Sequence, residues 1–367
     1  MDKLQFGENL GVNLVIICPS RALGYFGASM SALSNLFRAR DVRPPVYRAV
    51  LRHEIEQAMR LIVGNHRGPA SDEQVLDFLS FALGRGIDVA ATWVAEVGGK
   101  IEWALLPVVS PGRTMLLFTP AAPPRRDCLG TIAGLSDAVS VHFASRGVQL
   151  SQMLIDPKAT ALITAYLACG FVRLAELYYL QTDIRGNEPM PALPPGWAVS
   201  TYSAEAHAAF GEAILASYQG SQDCPSLNGV RDVEDVIAGH KAAGDFDPRL
   251  WFLLRESGKT LGTLLLNRSP GNNSVELVYL GVAPEARGRG VGDFLMEWAR
   301  GVSGLEARKH LSLAVDSGNQ PALRLYYRHG LMRIGSRVAM VRDLRVLQEP
   351  AAAESAPALA NYPPAAE

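Results

Sequence analysis

Cysteine is scarce in this chain. Its 367 residues hold four, Cys18, Cys128, Cys169 and Cys224, far apart and with no CxxC pair. That is too few for a disulfide scaffold, and neither the cysteines nor the seven histidines fall at zinc-ligand spacing. A reduced, cytoplasmic protein without a metal is expected. A surplus of either charge is missing as well: 35 basic and 36 acidic residues leave a net charge of −1. A protein held by nucleic-acid phosphates ordinarily carries a basic surplus, so no nucleic-acid partner is expected. Long apolar runs are also lacking. Residues 10–37 contain one charge, Arg21, but are interrupted by Pro19 and by several Gly, Ser and Asn. Residues 159–172 are uncharged but too short to span a bilayer. No membrane association is expected. What is present is 48% hydrophobic and 19% charged residues, enough apolar material for a sizeable core. The length predicts about two domains.

An internal repeat gives that number content. Residues 93–112 read WVAEVGGKIEWALLPVVSPG, and residues 251–271 read WFLLRESGKTLGTLLLNRSPG. Gly99-Lys100 and Ser110-Pro111-Gly112 match Gly258-Lys259 and Ser269-Pro270-Gly271 at one constant offset. Upstream, helices are predicted over 47–63 and 72–84, and over 202–218 and 230–243. Downstream, strand-like TMLLFTP and SVELVYLGVAP lead into helices. QLSQMLID and HLSLAVD follow as strands. Each half then runs through a helix into Tyr-x-x-x-Gly, Tyr166 to Gly170 and Tyr326 to Gly330, and closes on a strand. The fold class expected is α/β, of mixed α+β character, as two tandem units of a mostly antiparallel sheet flanked by helices. The units are placed at 45–185 and 197–346. The Pro- and Gly-rich residues 186–196 form a linker. Residues 347–367 are expected to be a disordered tail. Residues 1–44 have no counterpart in the second half and read either as an extra element or as a poorly ordered extension.

Chemistry concentrates in the second half, in Val282-Ala-Pro-Glu-Ala-Arg-Gly-Arg-Gly-Val-Gly292. A strand ends near Val282, a Gly-rich turn follows, and an amphipathic helix begins. Converging backbone amides and a helix N-terminus make an anion cradle, and Arg287 and Arg289 add full charges. A P-loop would need Lys-Ser or Lys-Thr after the turn, which is absent. The glycine spacing of Gly288, Gly290 and Gly292 also departs from a dinucleotide fingerprint. Arg287-x-x-Gly290-x-Gly292 remains.

With that motif the sequence resembles the GCN5-related N-acetyltransferase (GNAT) superfamily, whose acetyl-CoA signature is Gln/Arg-x-x-Gly-x-Gly/Ala. Asn319-x-x-Ala322-x-x-Leu325-Tyr326-x-x-x-Gly330-Leu331 resembles its second signature, with Leu331 in place of Phe. The resemblance covers about residues 197–345. It implies acetyl-CoA as co-substrate, held by Leu280, Gly281, Val282, Arg287, Gly288, Arg289, Gly290, Val291, Gly292 and Asn319. It also implies transfer to an amine, with Glu276 as general base and Tyr326 as general acid. The acceptor is expected to be a small molecule over the loop from Gly220 to Arg231 and the segment Gly244–Pro248. There Asp223 and Asp245 would pair an ammonium and Arg231 a carboxylate; turn chemistry explains the same residues. Cys224 reads as a small loop residue. The competing reading is a non-catalytic acyl-CoA-binding regulatory or interaction module. In the first half, PAAPPRRDCLGTIA lacks the signature, Ala159 stands for Asn319, and TMLLF offers no carboxylate. That half is expected to be a degenerate copy, a layout that resembles mycothiol synthases. A monomer or homodimer is expected.

Overall fold

Residues 261–267, LGTLLLN, are buried without a break. A strand buried on both faces needs helices on both sides of its sheet, and the computed structural model supplies them. It describes residues 44–65, 68–122, 128–223, 232–269 and 273–348. Most of the N-terminal extension, the C-terminal tail, Cys18, Cys224, Arg231 and the loop prolines Pro123 and Pro124 lie outside the described residues. The first half contains β1 (Val46–Ala49), α1 (Ile55–Val63), α2 (Asp72–Gly84), β2 (Trp93–Val97), β3 (Lys100–Ser110), β4 (Thr114–Phe118), α3 (Leu129–Ala144), β5 (Leu150–Ile155), α4 (Thr160–Ala168) and β6 (Val172–Asp183). The second half repeats the order as β7 (Trp197–Thr201), α5 (His207–Tyr218), α6 (Val233–Ala242), β8 (Trp251–Glu256), β9 (Lys259–Ser269), β10 (Ser274–Val282), α7 (Val291–Leu305), β11 (His310–Asp316), α8 (Gln320–Arg328) and β12 (Met332–Asp343).

Each half opens on a strand, and in the first half it overlaps the expected helix. Helix is expected from residue 47, yet Val46–Ala49 pairs antiparallel with β2, Ala49 opposite Trp93. Pro44-Pro45 precedes it, and Val46 and Tyr47 are strand formers. The helix begins only at Ile55.

The two cores follow from strand alternation. On β9, Leu264 and Leu266 pack with Leu295 and Ala299 of α7, while Leu265 packs with Phe210 and Ile214 of α5. On β3, Trp103 and Leu105 pack with Ile132 and Leu135 of α3, while Ala104 and Leu106 pack with Ala58 and Ile62 of α1. Each large buried aliphatic side chain contributes about 1.5–3 kcal/mol.

All twelve strands join one sheet, in the order β1-β2-β3-β4-β5-β12-β6-β11-β10-β9-β8-β7. Among the described strands, only β4–β5 and β10–β11 are parallel. The closing strands are exchanged. β12 lies against β5 of the first half, and β6 lies against β11 of the second; the two also pair with each other. The connection after β6 is docked rather than free. Arg300 Nη2 donates to Glu188 Oε1 at 2.9 Å, and a Cβ at Gly301 would meet Met190 Sδ at 2.5 Å. Arg113, in the β3–β4 turn, forms an ion pair with Asp235 of α6 and ties the halves a second time.

Candidate active site

The β10–β11 ladder holds only three pairs, Ser274–His310, Val275–Leu311 and Glu276–Ser312. Beyond them β10 stays on β9 as far as Val282–Gly262, and β11 stays on β6 as far as Asp316–Leu177. The two strands therefore diverge, and a wedge opens directly after Glu276. A register shift between Leu277 and Tyr279 bulges β10 at this point, and a bulge bends a strand and increases its twist. The inner edges of the wedge, 277–282 and 313–316, carry backbone groups with no strand partner across the gap. Leu280, Gly281 and Val282 lie on that edge.

At the open end stands the N-terminus of α7. Gly290 is its N-cap with φ 78°, a left-handed conformation that glycine adopts without steric cost. No side chain caps this terminus, and the first intrahelical bond runs from Phe294 N–H to the Gly290 carbonyl at 3.0 Å. The amides of Val291, Gly292 and Asp293 precede it and point outward, with the positive end of the helix dipole behind them. Gly292 packs closely on α8: a Cβ there would crowd Leu325 Cδ2 at 3.1 Å. The two arginines of the motif are each engaged. Arg287 Nη2 donates to the Ser217 carbonyl near the end of α5 at 2.9 Å, and Arg289 Nη2 pairs with Glu256 Oε2 at 2.7 Å.

Glu276 is 4% exposed and lies at the vertex of the wedge. Tyr326, on α8, is 7% exposed; its ring packs into the core, and its hydroxyl makes no hydrogen bond to a described residue. Burial, and then the charge of Asp223, raises its pKa, so it stays protonated at neutral pH. Asn319 is the N-cap of α8, its Oδ1 accepting from Ala322 N–H at 3.3 Å. Of the acceptor residues expected from sequence, Asp223 is thus brought within electrostatic reach of Tyr326. Asp245 is exposed, and its backbone bridges Arg268. Arg231 lies outside the described residues.

The first half reproduces the wedge with different contents. Its parallel ladder is Thr114–Leu150, Met115–Ser151 and Leu116–Gln152, so Leu116 takes the position of Glu276. Ala159 begins α4 without a side-chain cap. Tyr166 is fully buried, and its hydroxyl lies 2.6 Å from Thr119 Oγ1 and 3.4 Å from Trp103 Nε1. The phenol that bonds to no described residue in one half is sealed in the other.

Sequence reasoning missed two groups near Glu276. Arg85 closes α2 of the first half, and Glu276 and Asp245 both act on its charge. Tyr179 of β6 feels Glu276 and Arg337. Neither residue carries a local signal, because only the side-by-side placement of the halves brings them there. Among the described residues, no cluster of His, Cys, Asp and Glu is placed to hold a metal ion, and no helix is long and apolar enough to cross a membrane.

A mixed sheet with a wedge between two parallel strands, opening on an uncapped, Gly-rich helix start, is the architecture of an acyl-CoA-dependent acyltransferase. The Acetyltransferase (GNAT) family profile matches residues 218–331. A mycothiol acetyltransferase of Clavibacter michiganensis subsp. michiganensis is 30% identical over 287 residues, 73% of this chain and 79% of the relative. A mycothiol acetyltransferase of Jonesia denitrificans is 40% identical over 75 residues, 20% of this chain and 24% of the relative. Among solved structures, a GCN5-related N-acetyltransferase from Sphaerobacter thermophilus has the same fold, with a TM-score of 0.56 and 19% identity, over 82% of this chain and 96% of that one. The chain belongs to the GNAT family of N-acetyltransferases, which use acetyl-CoA as co-substrate.

Proposed function

We propose that this chain transfers the acetyl group of acetyl-CoA to the primary amine of a small molecule in the wedge between β10 and β11. The observation that carries the reading is the wedge opening at a buried carboxylate, Glu276, with the hydroxyl of Tyr326 on α8 bonded to no described residue and with uncapped amides at the α7 start. The pyrophosphate of acetyl-CoA binds the amides from Arg289 to Gly292. Gly288 and Arg287 shape the turn before them. The pantetheine arm lies along Leu280, Gly281 and Val282 as a strand would, and Asn319 contacts it from the α8 cap. Names of the related enzymes support a small acceptor.

In the reaction, Glu276 removes a proton from the amine, directly or through water. The amine nitrogen attacks the thioester carbonyl, and a backbone N–H near Leu280 stabilises the oxyanion. Collapse breaks the carbon–sulfur bond. Tyr326 hands its proton to the departing thiolate, whose free pKa is about 8.5, and is reprotonated from the site. Holding amine and thioester together supplies much of the acceleration. The first half, with Leu116 at the carboxylate position and Tyr166 sealed, supports the sheet and does not catalyse.

The test is incubation with acetyl-CoA and a metabolite extract, followed by mass spectrometry. A metabolite gaining one acetyl group is expected, and Glu276→Gln should suppress it. Absence of acetyl-CoA binding in calorimetry would end this reading; binding without any acetylated product would instead mark a non-catalytic acyl-CoA-binding module.

A further inference from the structure

The strand exchange places residues of both halves on one face of the sheet beside Glu276. Directly paired residues share a face, and the period along a strand is two. Glu276 pairs with Ser312, and Ser312 pairs with Gln181 of β6. Tyr179, two residues from Gln181, lies on that face; it is opposite Ala314 on one side and Gly335 on the other. Arg337 of β12 is opposite Leu177, so it is the diagonal neighbour of Tyr179 on the same face, about 7–8 Å away at the backbone.

Three features of this face ask for a ligand. Tyr179 is 2% exposed, and its hydroxyl has no hydrogen bond to any described residue. Arg337 is half-buried and pairs with no carboxylate among the described residues; its one hydrogen bond goes to the Ser336 carbonyl at 2.8 Å. Of the nearby carboxylates, Glu276 and Asp245 both act on the charge of Arg85 in the first half. Burial raises the Tyr179 pKa, Arg337 opposes that rise and Glu276 adds to it, which places both charges around one neutral phenol. A buried O–H donor beside a guanidinium with no described carboxylate partner suits an anionic oxygen.

We propose that Tyr179 and Arg337 bind a carboxylate of the acceptor, so that the substrate is an amino carboxylate whose amine reaches Glu276 while its carboxylate is held between the exchanged strands. This rests on the acetyl-transfer reading above and narrows its substrate class. Tyr179 lies two strand spacings across and two residues along from Glu276, ~12 Å at the backbone, and Arg337 lies one strand farther, which favours an amine separated from its carboxylate by several atoms over a compact α-amino acid. Both anchor residues come from the exchanged strands, so the acceptor site exists only where the two halves meet.

The experiment is steady-state acetylation of a graded series of ω-amino carboxylates, each beside its own carboxamide. The carboxylate is expected to exceed its carboxamide in kcat/KM by about ten- to hundredfold, mainly through KM, with an optimum chain length. Tyr179→Phe removes a hydroxyl that bonds to no described residue, and should cut the carboxylate kcat/KM about tenfold, more than it cuts that of the carboxamide, with acetyl-CoA affinity unchanged. Arg337→Gln should erase the preference, and Arg337→Lys should restore part of it. Equal treatment of carboxylates and carboxamides by the wild-type enzyme, or equal loss on both in the variants, overturns the proposal. If uncharged amines are acetylated and no amino carboxylate is, the proposal fails and the acetyl-transfer reading stands. If no amine of any kind is acetylated, both fail.

Discussion

Val338 of the last strand pairs with Ile155 of β5, a residue of the other half of the chain. Through this ladder, and through β6 on β11, neither half holds its own closing strand. Cutting the connection, by a protease site inserted at the exposed Gly186, should therefore leave two fragments that co-elute in gel filtration. Each fragment expressed alone should lack cooperative unfolding. A folded, monomeric fragment 197–348 would contradict the exchange.

Gly290 is held at φ 78° with open space around it. Gly290→Ala should cost about 1 kcal/mol through backbone strain and leave measurable acetyl-CoA binding. Gly290→Glu adds a like charge where the pyrophosphate is expected, and should raise the dissociation constant beyond about a hundredfold. Calorimetry on the pair separates strain from charge.

Tyr326 and Tyr166 occupy matching positions with opposite hydroxyl environments. Tyr326→Phe should lower kcat about a hundredfold with little effect on thermal stability, since no described partner is lost. Tyr166→Phe should do the reverse. It leaves Thr119 Oγ1 and Trp103 Nε1 without their shared partner, costs about 1 kcal/mol, and should leave kcat unmoved. Melting curves and initial rates on both variants check this.

Arg48 grips Glu54 with two hydrogen bonds of 2.7 Å, and Leu51 N–H adds a third at 2.9 Å. Arg48 foremost, with help from Leu51, lowers the Glu54 pKa from 4.5 to about 2. A carboxylate depressed in the folded state adds stability above its unfolded pKa and loses it as pH falls through the folded value. The wild type should therefore lose this contribution between pH 4.5 and about 2. Glu54→Gln should be less stable at neutral pH and converge on wild type at the acid end, as followed by urea unfolding across that range.

The Gly-rich turn into α7 was legible because its requirements are local. Gly290 must take a left-handed φ, Gly292 packs closely on Leu325, and both are written within a few residues of Arg287. Asn319 was legible as a cap for the same reason. Tyr179 was not, since LAELYYLQT reads as any central strand; its meaning depends on β10 and β12 lying nearby. Arg289, read as a phosphate ligand, turns to Glu256 on β8, a partner 33 positions away that no spacing rule connects.

The sequence by itself determined the repeated order of elements, both signature motifs and the family they resemble, because periodicity, capping and turn chemistry act over a few residues. Only the tertiary structure decided that the closing strands cross over. β6 and β12 hold equivalent places in their halves, and backbone hydrogen bonds do not distinguish one partner strand from another. That choice is made by packing over the whole sheet. It brings Arg85 and Tyr179 of the first half within electrostatic reach of Glu276 in the second.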